Sequence, residues 1–225
     1  MSKSVVIAID GPAGSGKSTI ARRLAGTLGF VYIDTGAMYR SVALWALRIN
    51  VPPGDVVRLG ALASAAEISF EAGGSRVSLN GEDVTAAIRT EEVSRAASKV
   101  STVPGVRRAM VEKQRRMGEA GPVVMEGRDI GTVVFPDAVL KVFLDASPEV
   151  RAARRAVELG QEGGAGVARE MRERDERDSQ RAESPLVQAP DAVYLDTSNL
   201  SLEEVEAAIL RLFRQRVSNG KEILR

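Results

Sequence analysis

Eight residues near the amino end constrain this chain more than any other stretch: Gly11-Pro12-Ala13-Gly14-Ser15-Gly16-Lys17-Ser18. They fit the pattern G-x-x-x-x-G-K-[ST], a loop that cradles phosphate groups. An apolar run from Val5 to Ile9 leads into it, and Ile20, Leu24 and Leu28 recur behind it at helical spacing. The loop therefore joins a strand to a helix, the context the motif requires. Glycines let backbone N–H groups turn inward around a polyphosphate, and the helix start adds partial positive charge. Lys17 supplies a point cation for the β- and γ-phosphates, and Ser18 offers a hydroxyl ligand to Mg²⁺. The rival reading is a dinucleotide-binding turn, since Gly11, Gly14 and Gly16 are succeeded by Asp34. The Lys17-Ser18 pair at the helix start favours phosphoryl chemistry over it.

Beyond the loop, the chain alternates between strand and helix patterns. Phe30 to Ile33 reads as a second strand, broken by Asp34-Thr35-Gly36, and Ala37 to Ile49 reads as a helix. Pro122 to Met125, Leu140 to Leu144 and Val193 to Leu195 complete five short apolar strands. Alternation of this kind predicts an α/β fold with a parallel sheet covered on both faces and ligands at the carboxyl ends of its strands. Ser147-Pro148 is a helix start, and Ser201 with Glu204 forms a capping box.

One segment breaks the rhythm. After Val51-Pro52-Pro53-Gly54 and a short helix from Asp55 to Ala66, residues 67–71 and 76–80 alternate apolar with polar around Gly73-Gly74. That is an antiparallel β-hairpin. It marks an inserted subdomain, with residues 65–90 at its core. Helices over Glu91 to Val100 and Gly105 to Met117 come next, separated by Pro104.

A second constellation lies late in the chain. Four glycines between Gly160 and Gly166 predict a mobile stretch, and a charged helix from Val167 to Arg181 comes after it. On it, Arg174, Arg177, Asp178 and Arg181 are spaced to share one face. Either they clamp phosphate, or pairs such as Glu170 with Arg174 and Glu173 with Arg177 make a salt-bridged solvated helix.

Composition narrows the chemistry. There is no histidine and no cysteine, so imidazole general bases, thiol catalysis and disulfides are excluded. Any metal must sit among oxygen ligands, which suits Mg²⁺. The net charge of +1 offers no field for nucleic acid or a membrane surface. The first apolar run is too short for a signal peptide or a membrane span, and the lack of cysteine fits a cytoplasmic protein. No N-K-x-D motif is present, which argues against a GTPase. Size, insert and arginine-rich helix together suggest a small-molecule kinase with a lid.

Four stretches carry a family resemblance. Ile9 to Lys17, Asp34-Thr35-Gly36-Ala37-Met38-Tyr39-Arg40, Glu126 to Asp137 and Arg174 to Arg181 together resemble the bacterial cytidylate kinases. The resemblance covers nearly the whole chain, and Gly127-Arg128-Asp129-Ile130-Gly131-Thr132-Val133-Val134-Phe135-Pro136-Asp137 is its most specific part. It implies one phosphate-loop kinase domain over residues 1–225. That domain would have a three-layer fold, a monophosphate-binding insert at about 50–100 and a helical lid at about 150–180. It implies transfer of the γ-phosphoryl of ATP to CMP or dCMP in pyrimidine nucleotide metabolism, by a monomer in the cytoplasm. Gly11 to Ser18 with Thr19 would hold ATP. Thr35 and Arg40 would lie in the acceptor site, and Ser98, Arg107 and Asp129 would surround the cytosine. Arg128 and Arg181 would join Arg40 at the acceptor phosphate, and Arg174 and Asp178 would approach the sugar. Arg154 and Arg155 would close on ATP from the lid, excluding water. Catalysis would fall to Lys17, Arg128, Arg181 and Arg154. Two alternatives remain open: a kinase for another small acceptor, and a nucleotide-binding sensor that catalyses nothing.

Overall fold

The computed structural model describes residues 4–71, 74, 76–160 and 165–219. In chain order the elements are β1 (Val6–Asp10), α1 (Lys17–Leu28), β2 (Val31–Asp34), α2 (Thr35–Arg48), α3 (Val56–Ala65), β3 (Ile68–Phe70), β4 (Val77–Leu79) and β5 (Glu82–Asp83). Then come α4 (Glu91–Val100), α5 (Pro104–Glu119), β6 (Val123–Gly127), β7 (Leu140–Asp145), α6 (Pro148–Leu159), α7 (Ala165–Ser179), β8 (Val193–Asp196) and α8 (Leu202–Asn219).

Five strands form one parallel sheet in the order β2-β6-β1-β7-β8. The period-2 geometry of a strand divides their side chains between two faces. Ile7, Ile9, Val124, Val142 and Leu144 pack with Ile20, Leu24, Val205 and Ile209 of α1 and α8. Val6, Ala8, Ile33, Val123 and Met125 face the other way, against Ile130, Val134 and part of α5. Burial on both faces explains why these strands read as continuous apolar runs.

A separate apolar cluster lies among α2, α3, α4 and α5, filled by Met38, Val42, Leu59, Ile88, Val106 and Met110. It also takes in Ile68, Val77 and Leu79 from an antiparallel three-stranded sheet, β3-β4-β5. The third strand was not expected: it is two exposed acidic residues, which carry no apolar alternation. Gly73 of the expected turn lies outside the described residues.

Other boundaries moved for identifiable reasons. Asp34 does not break the chain. It N-caps α2, accepting from the Ala37 N–H at 2.9 Å, so the helix starts at Thr35 directly behind β2. Ser147 caps α6 at the Val150 N–H, and the Ser201–Glu204 capping box forms in both directions. α7 ends at Ser179, so Arg181 is not on the helix, although it stays close to Asp178, at 3.1 Å. Gly160 closes α6 in the left-handed conformation at φ 64°. The rest of the expected mobile stretch, residues 161–164, lies outside the described residues. Among those residues, no helix is long and apolar enough to cross a membrane.

Candidate active site

β1 delivers the chain into the phosphate loop at a tight crossing. Gly11 has φ 148°, and a Cβ there would lie 2.0 Å from the carbonyl oxygen of Leu144 on β7. Gly14 and Gly16 also have positive φ, at 73° and 90°. These three positions explain the glycine spacing: all have backbone angles that L side chains rarely adopt, and Gly11 and Gly14 are also closely packed.

Lys17 is 5% exposed and folds back over the loop. Its Nζ donates to the Pro12 carbonyl at 2.5 Å and lies 3.3 Å from Ser15 Oγ, which itself donates to Pro12. Burial, helped by the neighbouring charge of Arg128, pulls the ammonium pKa down to about 7. Asp34 and Glu126 stand side by side at the carboxyl ends of β2 and β6. Burial and the Asp34 charge push the Glu126 carboxyl up, while Tyr32 donates to it at 2.6 Å and Ser18 bonds to it. Burial alone would raise Asp34 too, but Arg40 at 2.8 Å and the Ala37 N–H hold it low.

Across the same cavity stands a group of arginines held by few carboxylates. Arg128 pairs with Asp178 at 2.9 Å, and Arg181 and Arg174 approach the same carboxylate at 3.1 and 4.0 Å. Burial works to raise the Asp178 carboxyl, and the arginines overcome it and keep it ionised. Arg174 is the least satisfied: its buried Nε has no hydrogen-bond partner, and burial with Arg128 beside it lowers its pKa to about 10. Arg40 and Arg107 each leave a buried Nε unpartnered as well. Desolvated guanidinium groups in excess of carboxylate make a site for a polyanion. Arg107 pairs with Asp129, and its guanidinium sits 5.7 Å from the centre of the Tyr39 ring.

The structure brings most of the expected residues to one cavity. Ala13, Gly14, Gly16, Lys17, Ser18 and Thr19 line its phosphate-loop side. Thr35, Arg40, Arg107, Arg128 and Asp129 line the opposite side, and Arg155, Arg174, Asp178 and Arg181 close it. Gly11, Pro12 and Ser15 of the same loop are buried and do not line the cavity. Two expected residues are elsewhere. Ser98 faces an adjoining cavity, where its hydroxyl accepts from Arg177 Nε at 3.3 Å. Arg154 does not line the cavity and is bound through both terminal nitrogens to Thr197. Glu126, Tyr39, Ser94 and Ser101 also line the central cavity and were not singled out from the sequence. Glu126 and Tyr39 could have been found, since one sits beside Gly127-Arg128-Asp129 and the other in the Asp34 to Arg40 stretch; Ser94 and Ser101 lie in no motif.

A parallel sheet with a phosphate loop at its carboxyl edge, facing an arginine cluster across one cavity, defines a phosphate-loop kinase. The fold agrees with that of a solved kinase. A gluconokinase from Sinorhizobium meliloti 1021 superposes with a TM-score of 0.53 over 100% of both chains, at 15% identity. The sequence model of the cytidylate kinase family matches residues 7–215. A cytidylate kinase of Solibacter usitatus is 62% identical over 98% of this chain and 97% of its own length. One from Desulfitobacterium hafniense is 51% identical over 98% and 97%. The chain belongs to the cytidylate kinase family.

Proposed function

We propose that this chain transfers the γ-phosphoryl group of ATP to CMP or dCMP, giving ADP and the nucleoside diphosphate. The observation that carries the reading is one shared cavity, lined by buried Lys17 and by Arg40, Arg107 and Arg174, each of which keeps a buried Nε without a hydrogen-bond partner. Two polyanions meeting there need charge neutralised and reacting atoms aligned, and little else.

The acceptor phosphate oxygen is already ionised near neutral pH, so no general base is required. The phosphate-loop backbone from Gly11 to Thr19 holds the donor, and Lys17 leaves the Pro12 carbonyl for its β- and γ-oxygens. Arg40, Arg128 and Arg181 bind the acceptor phosphate, and Arg174 and Asp178 the sugar. Thr35 supports that side, donating to the Glu126 carbonyl at 2.7 Å. Arg107 and Asp129 read the cytosine. Ser98 joins them only if Arg177 releases its hydroxyl. Residues at about 50–100 act as the acceptor-binding insert and those at about 150–180 as a lid, with Arg155 facing the transferring group.

Among the described residues no cluster of three or more acidic side chains forms a ready-made cage for a metal. The donors present are all oxygen: Ser18, with Glu126 and Asp34 close behind it. They fit Mg²⁺ shared with the ATP phosphates, where it would spread the negative charge of the phosphoryl group. We read the protein as a cytoplasmic monomer, and its near-neutral net charge supports a reading without nucleic-acid or membrane-surface partners.

The test is ADP formation with CMP, dCMP, UMP, AMP and shikimate offered side by side. Turnover with CMP and dCMP well above the others is expected. A preference for a different acceptor would overturn the substrate assignment. ATP binding with no acceptor-dependent turnover would favour a sensor.

A further inference from the structure

Thr197 lies just past the carboxyl end of β8 and is 3% exposed. No motif marks it. Its hydroxyl nonetheless sits where four elements converge. Arg154 of α6 donates from Nη1 to Thr197 Oγ1 at 3.0 Å and from Nη2 to the Thr197 carbonyl at 2.8 Å. The same Oγ1 lies 2.9 Å from the Asp145 carbonyl at the end of β7 and 3.3 Å from the Ser15 carbonyl in the phosphate loop. The Thr197 N–H also donates to Asp145, at 2.8 Å. A hydroxyl has one proton and two lone pairs. Here Arg154 occupies a lone pair, and the proton turns toward the carbonyls of Asp145 and Ser15.

From Ser15 the chain of contacts continues inward. Ser15 is fully buried, and its Oγ lies 3.3 Å from Lys17 Nζ. Arg154 flanks the loop directly as well, since a Cβ on Gly16 would come within 3.8 Å of its Nη1. A phosphate loop binds through amide groups already aimed at the ligand, so whatever fixes its backbone determines how much ordering ATP must supply.

We propose that Thr197, oriented by Arg154, is a positioning residue for the donor-phosphate loop. Its hydroxyl holds the loop backbone at Ser15 in the shape that receives ATP. Arg154 thus acts through Thr197 rather than on the transferring phosphoryl group. The inference rests on the reading that the loop holds ATP, and it does not depend on which acceptor is used.

The experiment replaces Thr197 with Val, which keeps the shape and removes the hydroxyl, and with Ser, which keeps the hydroxyl. Dissociation constants for Mg-ATP and for CMP are measured separately by calorimetry, with steady-state constants and the melting temperature beside them. For Thr197→Val the Mg-ATP dissociation constant should rise about tenfold, as the loop loses its hydrogen bond to the hydroxyl. The CMP constant, measured without ATP, should stay within about twofold. Thr197→Ser should return the Mg-ATP constant to within about threefold of the parent.

Equal Mg-ATP affinity in Thr197→Val and the parent overturns the proposal. So does an equal loss for both substrates, which marks a purely structural role. If Thr197→Val does not fold, Thr197→Ala and Thr197→Ser make the same comparison. Failure of Ala alone to fold assigns the hydroxyl to stability and overturns the positioning role. A parent protein that binds Mg-ATP but does not phosphorylate CMP refutes the acceptor assignment instead and leaves this comparison intact.

Discussion

Arg107 and Asp129 stand 22 residues apart in sequence and meet in an ion pair of 2.5 Å. Their side chains are 2% and 7% exposed. Arg107 also donates to the Ser101 carbonyl at 3.2 Å, so its geometry is fixed from two sides. A carboxylate held this way has one oxygen directed by the arginine and can accept from a base amino group with the other.

Asp129→Asn tests base choice. Cytosine carries an amino donor where uracil carries a carbonyl acceptor, and a carboxylate can only accept. We expect kcat/KM for CMP to fall about tenfold or more, as a charged hydrogen bond is lost. The gap between CMP and UMP should narrow, because the amide can donate. Equal losses for both acceptors at saturating Mg-ATP would reassign Asp129 to structure or catalysis.

Lys17→Ala should abolish most turnover and leave the fold intact. Its partners in the structure are Pro12 and Ser15 of its own loop, so removal breaks no long-range tie. Losing a transition-state cation of this kind costs on the order of 10²-fold or more in kcat. Near-parental CMP-dependent turnover in a folded Lys17→Ala protein would exclude the lysine from the mechanism.

Asp10 gives the stability a pH signature. It is buried and accepts the N–H groups of Ile130 and Gly131 at 2.8 and 2.7 Å, tying the Arg128-Asp129 segment to β1. Burial outweighs these bonds and pushes its carboxyl up to about 6, from an ordinary 3.8. The folded protein therefore holds this proton more tightly than the unfolded chain. That contribution is full below about pH 4 and is lost as pH rises through about 6, to a total of about 3 kcal/mol. Asp10→Asn cannot titrate. The stability of the parent relative to Asp10→Asn should fall between pH 4 and 7 in denaturant titrations. A difference that stays flat over that range would show that the Asp10 carboxyl titrates normally.

Two glycines should respond with opposite signs. Gly11→Ala would drive a Cβ to 2.0 Å from the Leu144 carbonyl at a backbone angle that L residues avoid. We expect a loss of about 3 kcal/mol or more, with no ATP binding in whatever folds. Gly26, on α1, has nothing within 4 Å of the same atom. Gly26→Ala should gain about 0.5–1 kcal/mol through helix propensity. Thermal melts of the two proteins check both, and a neutral Gly11→Ala would contradict the close crossing of the loop with β7.

The loop, the sheet strands and the hairpin were legible because they depend on local pattern: glycine spacing, period-2 alternation and caps such as Ser147. Asp34 misled because a residue that favours turns also makes a good N-cap, and only the three-dimensional path decides between them. The Glu82–Asp83 strand has no apolar face to announce it. Arg181 fits a helical face by arithmetic, yet the helix ends before it. Pairings such as Arg107 with Asp129, and Arg154 with Thr197, join residues 22 and 43 apart. Such contacts are set by how helices dock on the sheet, information that no window of sequence holds. Ser98 looked like a base contact by similarity and is engaged by Arg177 in this structure.

Among the described residues, the α2–α5 cluster shares no apolar side chain with the sheet face under α1 and α8, and it meets the opposite face only through the partly buried Phe70 and Met117. A substitution that reshapes the space around Met38, Leu59 or Val106 alters the walls of the acceptor side without disturbing Ile7, Ile9 and Leu144 under the phosphate loop. New acceptors can be explored by drift in one interior while the machinery for the shared phosphate donor is inherited unchanged.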